Sequence, residues 1–120
     1  MLPSAQDLVR VVVHVDDGSA GHQRLALGNV ANLLNEVGAD AVGVEVVFNG
    51  PAIYALATSS ELSAELSSLQ TRGVELLACN NSMVAAGISS SDLLSGVTVV
   101  PSGIAHLVRR QHAGWAYVRP

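Results

Sequence analysis

The stretch Gly73-Val74-Glu75-Leu76-Leu77-Ala78-Cys79-Asn80-Asn81-Ser82 decides how the rest of the chain is read. A turn glycine opens it, a short apolar run follows, and the single cysteine of the chain stands where that run stops. Small polar residues come next, then Met83-Val84-Ala85-Ala86 and Gly87. The pattern predicts a strand, a tight turn and a short helix. Cys79 then sits at the carboxyl end of a strand and the amino end of a helix. Open α/β sheets bind ligands at that edge, and a helix start favours a thiolate.

Working outward, the flanking segments support such an edge. Leu8–Val15 is β-branched and nearly all apolar, as a buried strand requires. Alternation puts Val9, Val11, Val13 and Val15 on one face and Arg10, Val12 and His14 on the other. Asp16-Asp17-Gly18-Ser19-Ala20-Gly21 is a turn cluster. From His22 to Val37 the apolar residues Ala26, Val30, Leu33, Leu34 and Val37 form one helical stripe, and Gly38 is a natural C-cap. Ala41–Phe48 reads as the second strand, and Pro51 opens a short helix to Leu56. Thr58-Ser59-Ser60-Glu61 matches a capping box ahead of a helix marked by Leu62, Leu66 and Leu69. After the opening stretch, Ser89-Ser90-Ser91-Asp92 starts a helical turn within the loop 88–94, and Gly96–Val100 is a fourth strand. Pro101-Ser102-Gly103 caps a helix with the stripe Ile104, Leu107 and Val108, closed by Gly114. Trp115–Val118 is a last short strand. The alternation of strands and helices predicts one α/β domain: a three-layer α/β/α sandwich on a mostly parallel five-stranded sheet. Residues 1–7 are expected to be a loose leader.

Composition narrows the function. Average soluble domains are about one-quarter charged, whereas this 120-residue chain is 13% charged and 49% hydrophobic. Such a surface is expected to be buried in part between identical subunits. The six cationic residues are all arginine and are scattered apart from Arg109-Arg110, so nucleic acid is not an expected partner. No apolar run approaches the 18 or so residues of a membrane span, and the first residues lack the basic start of a signal peptide. One cysteine cannot form an internal disulfide. A reducing cytoplasm is the expected setting.

In a parallel sheet the carboxyl ends lie along one edge. That edge receives His14 to Asp17, Phe48-Asn49-Gly50, Cys79-Asn80-Asn81 and Pro101-Ser102-Gly103. Cys79 is the candidate catalytic group. Its plain alternative is a buried cysteine behaving as a small hydrophobe. His14 is either a satisfied structural histidine or a group that holds a proton near Cys79. Asn81 is either a turn former or a donor to an anion, with Asn49 and Asn80 as neighbouring amides. Asp16 and Asp17 read as turn formers. His22, His106 and His112 are expected in solvent, and Arg109-Arg110 at a solvated helix end or in an oligomer salt bridge. No glycine-rich phosphate loop is present, and no C-x-x-C, which excludes an intramolecular dithiol cycle. No metal site is expected, because zinc needs three or four ligands at suitable spacing. A cysteine hydrolase built on Cys79 and His14 is a further alternative.

Several segments carry a resemblance to a known family. They are Val13-His14-Val15-Asp16, Asn29-Val30-Ala31-Asn32-Leu33-Leu34, Val46-Val47-Phe48-Asn49-Gly50-Pro51, the cysteine segment from Gly73 to Met83, and the tail from Val99 to Ala105 and from Gly114 to Val118. Across nearly its whole length the chain resembles the DsrE/DsrF-like family, in the branch of small single-domain sulfur-relay-like proteins. The resemblance implies a five-stranded α/β/α sandwich and homo-oligomers, commonly trimers or hexamers. In the sulfur-relay members a cysteine after the third strand takes up sulfane sulfur as a persulfide and hands it on, and Cys79 matches that position. The resemblance further implies partner sulfurtransferases and no organic cofactor. The resulting expectation is a sulfur carrier acting through Cys79. The alternative is a non-enzymatic oligomeric module binding a small ligand at the same edge.

Overall fold

The computed structural model describes residues 8–120, so the expected leader over residues 1–7 lies outside the described residues. The strands are β1 (Val9–Val15), β2 (Val42–Phe48), β3 (Glu75–Cys79), β4 (Thr98–Val100) and β5 (Ala116–Val118). The helices are α1 (Ala20–Val37), α2 (Ser63–Thr71), α3 (Asn80–Ala86) and α4 (Gly103–His112), with 3-10 segments at Gly50–Leu56 and Ser90–Asp92. The sheet order is β4-β3-β2-β1-β5, and every pairing is parallel.

Local chemistry explains the boundaries. Ser19 caps α1 by accepting a hydrogen bond from the His22 N–H at 3.2 Å, which starts the helix earlier than its apolar stripe suggests. Gly38 ends it, with its N–H donating to Leu34 O. The capping box expected at Thr58 to Glu61 does not form. The Thr58 N–H donates instead to Asp92 O at 2.9 Å, Ser60 Oγ accepts from the Leu62 N–H at 3.1 Å, and α2 begins only at Ser63. A capping box is found at the serine run, between Ser89 and Asp92.

The two faces of the sheet are unequal. Val11, Val13, Val44, Val46, Phe48, Leu76 and Ala78 face the layer of α1, α2, α3 and the Gly50–Leu56 segment, in one continuous buried core. Phe48, Ile53, Leu56 and Leu66 are completely buried there, each stabilising the fold by roughly 1.5–3 kcal/mol relative to exposure. Among the described residues, the opposite face carries α4 alone. Its buried cluster is Val12, Val47, Leu77 and Leu107, edged by Val100 and Trp115. The stripe expected on α4 is therefore only partly buried: Leu107 packs, but Ile104 and Val108 are 55% and 59% exposed.

The connections explain this asymmetry. From β1 to β4 the chain steps one way across the sheet, and its helices lie on the thick face. From β4 it returns past β3, β2 and β1 to reach β5, and α4 crosses on the other face, as right-handed crossovers require. The segments leaving β3 and β4 thus depart to opposite faces. A crevice at such a switch point is where open α/β sheets hold ligands, and Cys79 ends β3 at that position.

Candidate functional site

Cys79 is both the last residue of β3 and the residue that precedes the first turn of α3. It is 5% exposed and has no disulfide partner. Burial pushes its thiol up. The Ser82 hydroxyl, with the N–H groups of Gly103, Ser82 and Asn81, outweighs burial, so the thiol is held below its ordinary value.

These groups come from three places. Asn81 and Ser82 lie in the first turn of α3, and Gly103 is the first residue of α4. Ser82 is anchored in turn, because its Oγ accepts the Gly50 N–H at 2.8 Å. Gly50 holds a positive φ of 56°, a conformation that favours glycine. Gly103 is constrained by space instead. A Cβ there would meet Cys79 Cβ and Val47 Cγ1 at 3.2 Å and Asn49 Cβ at 3.3 Å. Glycine lets the start of α4 come this close to the end of β3 without displacing its neighbours. Ser102 caps α4, its Oγ accepting the Ala105 N–H at 3.1 Å, and leaves the Gly103 N–H free to face the sulfur.

A polar row extends from this point along the sheet edge. Asn49 follows β2 and lies beside Cys79 across Gly103. Its Oδ1 accepts from His14 Nε2 at 2.8 Å, which assigns the ring proton to Nε2. The Tyr117 hydroxyl lies 2.8 Å from His14 Nδ1 and donates to it in that tautomer. His14 is 7% exposed, and Asp16 Oδ2 stands 4.0 Å from its Nε2. Asp16 is also paired with Arg119 at 3.1 Å, while Asp17 accepts the Ser19 N–H at 2.7 Å as a turn former. The structure thus places His14 next to Asn49 and one residue removed from Cys79. Asn80 and Asn81 are exposed on the first turn of α3.

A groove of about 460 Å³ opens beside this turn. Gly50, Pro51, Tyr54, Asn81, Ser82, Ala85 and Ala86 line it, so the Ser82 that touches the sulfur also touches the groove. Among the described residues, no group of three or more His, Cys, Asp or Glu side chains is placed to hold a metal ion. No described helix is long and apolar enough to cross a membrane.

Two residue groups escaped the sequence reading. Ser82 and Tyr117 act through hydroxyls that carry no motif. The other group lies under α4. Glu45 is 4% exposed and accepts hydrogen bonds from His106 Nε2 at 2.8 Å and from Arg110 Nε and Nη2 at 2.9 and 2.8 Å. His106, expected in solvent, and Arg110, expected at a solvated helix end or in an oligomer salt bridge, are instead turned onto the sheet of their own chain, because the buried carboxylate requires donors.

Comparisons with known proteins agree with this architecture. The sequence profile of the DsrE/DsrF-like family matches residues 9–120. A solved protein of unknown function from Methanobacterium thermoautotrophicum (MTH1491) is 42% identical, with a TM-score of 0.89 over 93% of this chain and 99% of its own. The ychN protein from E. coli shares the fold at 14% identity, with a TM-score of 0.78 over 94% of this chain and 99% of its own. A conserved protein of unknown function from Bacteroides thetaiotaomicron (BT1422) does so at 18% identity and a TM-score of 0.74, over 98% of this chain and 97% of its own. No curated protein matches the chain significantly.

Proposed function

This chain belongs to the DsrE/DsrF-like family, and we propose that it is a sulfur carrier that holds sulfane sulfur as a persulfide on Cys79. The observation that carries the reading is the placement of the Cys79 sulfur at the switch point of the sheet among the Ser82 hydroxyl and three backbone N–H groups, which hold its thiol below the ordinary value. A thiol with no partner cysteine has no internal disulfide to form, so its product must pass to another molecule.

The step balances without an added redox partner. The Cys79 thiolate attacks the outer sulfur of a donor persulfide, R–S–SH. The Cys79 S–S bond forms as the R–S to sulfur bond breaks, and R–S⁻ leaves. An acceptor thiolate then attacks the outer sulfur of Cys79–S–SH and releases the Cys79 thiolate. The N–H groups and the Ser82 hydroxyl stabilise the anion at both ends of the cycle. Asn49, Asn81 and His14 are the supporting polar groups, Asn80 stands beside them, and no organic cofactor is required. A partner sulfurtransferase supplies the sulfur, and a reducing cytoplasm keeps the resting thiol free.

The proposal includes a homo-oligomer, a trimer or hexamer. Ile104 and Val108 on α4 and Tyr117 and Val118 at the β5 edge are exposed, as a subunit contact would use them. Sedimentation of a species near the 12.4 kDa chain mass at micromolar concentration would contradict this part. The carrier itself is tested by mass spectrometry after incubation with a cysteine desulfurase and cysteine. One added sulfur, about 32 Da, is expected on the peptide holding Cys79 and is expected to vanish in Cys79→Ala. If a persulfide donor leaves the parent protein without the adduct, the reading fails and the ligand-binding module becomes the better one.

A further inference from the structure

We propose that Glu45, with His106 and Arg110, is a positioning device for the Cys79 sulfur. It acts by fixing the start of α4 against the end of β3. The inference rests on the reading of Cys79 as a working thiolate.

Helix α4 has little apolar hold on the sheet. Leu107 is its buried anchor, while Ile104 and Val108 point outward. The Glu45 cluster supplies what the apolar contact lacks. Three hydrogen bonds of 2.8 to 2.9 Å converge on its two oxygens, two of them from one guanidinium in a bidentate fork. The other side of that guanidinium is closed by the Trp115 ring, 4.5 Å from centroid to carbon. Burial pushes the Glu45 carboxyl up, but Arg110 and His106 hold it below the usual carboxylate range, so the cluster is ionic.

The clamp and the sulfur site use the same two elements. His106 and Arg110 lie three and seven residues after Gly103, on one face of α4. Glu45 lies two residues before Val47 on the same face of β2, and Asn49, extended just beyond the strand's end, continues that alternation. Val47 and Asn49 are the β2-side residues that a Cβ at Gly103 would strike. Helix and strand therefore meet twice, once through the ion cluster and once through the close approach at Gly103. Both meeting points are on rigid elements, so registering one registers the other. A hydrogen bond from the Gly103 N–H weakens steeply with distance and angle. A small slide of α4 is enough to lose it.

A buried ion pair rarely adds more stability than a packed apolar pair. What it adds is a fixed position, since a bidentate fork tolerates little displacement. The Glu45 cluster would then be read less in stability than in the acidity of a thiol on the far end of the helix.

The test is the pH profile of Cys79 alkylation by iodoacetamide in the full chain, with thermal unfolding measured on the same samples. Glu45→Gln and Arg110→Lys are both expected to move the profile to higher pH. The rate near neutral pH should fall on the order of threefold, following the thiolate fraction. Leu34→Ala, a cavity in the opposite core, is the control: it should lower the unfolding temperature and leave the profile in place. The proposal is overturned if folded Glu45→Gln keeps the parent profile, or if Leu34→Ala moves the profile as far. Should Glu45→Gln fail to fold, Arg110→Lys, which keeps the charge, decides by the same criterion. Alkylation involves no sulfur transfer. A shifted profile with no persulfide loading would therefore keep the clamp and remove the carrier, and an unshifted profile with loading would do the reverse.

Discussion

One face of the sheet is covered by α1, α2, α3 and the Gly50–Leu56 segment over an apolar core that runs from Val11 to Leu93. Among the described residues the other carries α4 alone, whose Leu107 packs over three buried sheet residues, Val12, Val47 and Leu77, beside the ion cluster at Glu45. The thick face is held by area, which is non-directional and tolerates small shifts. The thin face is held by a few directional bonds, which set position more than they add energy. Cys79 lies where the two meet: α3 from the thick side and α4 from the thin side both bring N–H groups to its sulfur. Stability should therefore follow the deep core of the thick face, and reactivity the two helix starts that meet at Cys79.

The largest effect expected is on the thick side. Leu66→Ala should cost about 2–5 kcal/mol in denaturant unfolding, while the protein that remains folded keeps the parent Cys79 alkylation profile. A shifted profile would break the separation. Next is Gly103→Ala, whose Cβ would enter space already held by Cys79, Val47 and Asn49 at 3.2 to 3.3 Å. Overpacking of this kind costs about 1–3 kcal/mol, and displacement of α4 should slow alkylation at neutral pH. Unchanged reactivity would mean that Gly103 does not serve the sulfur.

Ser82→Ala comes third. It removes one of the groups that lower the Cys79 thiol and leaves the Gly50 N–H without its acceptor. About 1 kcal/mol of stability and a shift of the alkylation profile to higher pH are expected. A stability loss with no shift would assign Ser82 to the loop alone.

The smallest effect is a pH dependence of the thin face. The Glu45 carboxyl is lowered in the folded chain. Its contribution to stability is therefore fully present above the ordinary carboxylate range and is lost as pH falls through the folded value. The stability difference between the parent and Glu45→Gln, followed by chemical unfolding, should be largest near neutrality and shrink in acid. A difference that holds constant into strong acid would show that the carboxylate is not ionised as drawn.

The same division marks what was legible in the amino-acid sequence. Strands read well because Val9 to Val15 and Val42 to Phe48 are rich in β-branched residues, and Val11 to Val15 and Val44 to Phe48 are buried on both faces. Cys79 and Asn49 could be placed at one edge because parallel topology sends every strand end there. The His14 to Asn49 contact follows from neighbouring strands, β1 and β2. The thin face read poorly. A helical stripe of Ile104, Leu107 and Val108 signals burial, but α4, with no further layer over it among the described residues, buries only Leu107 of the three. Glu45 meets His106 and Arg110 across 61 and 65 residues, a separation no local pattern reports. The false capping box failed for a similar reason, since the Thr58 N–H is drawn to Asp92 from a distant loop.

The most direct test of the convergence at Cys79 is the alkylation rate of the parent protein as a function of pH, fitted to a single thiol titration. The expected midpoint lies below that of a free cysteine peptide titrated alongside, because the N–H groups and the Ser82 hydroxyl outweigh burial. A midpoint at or above that value would contradict the claim, leaving Cys79 a buried small hydrophobe rather than a thiolate poised to carry sulfur.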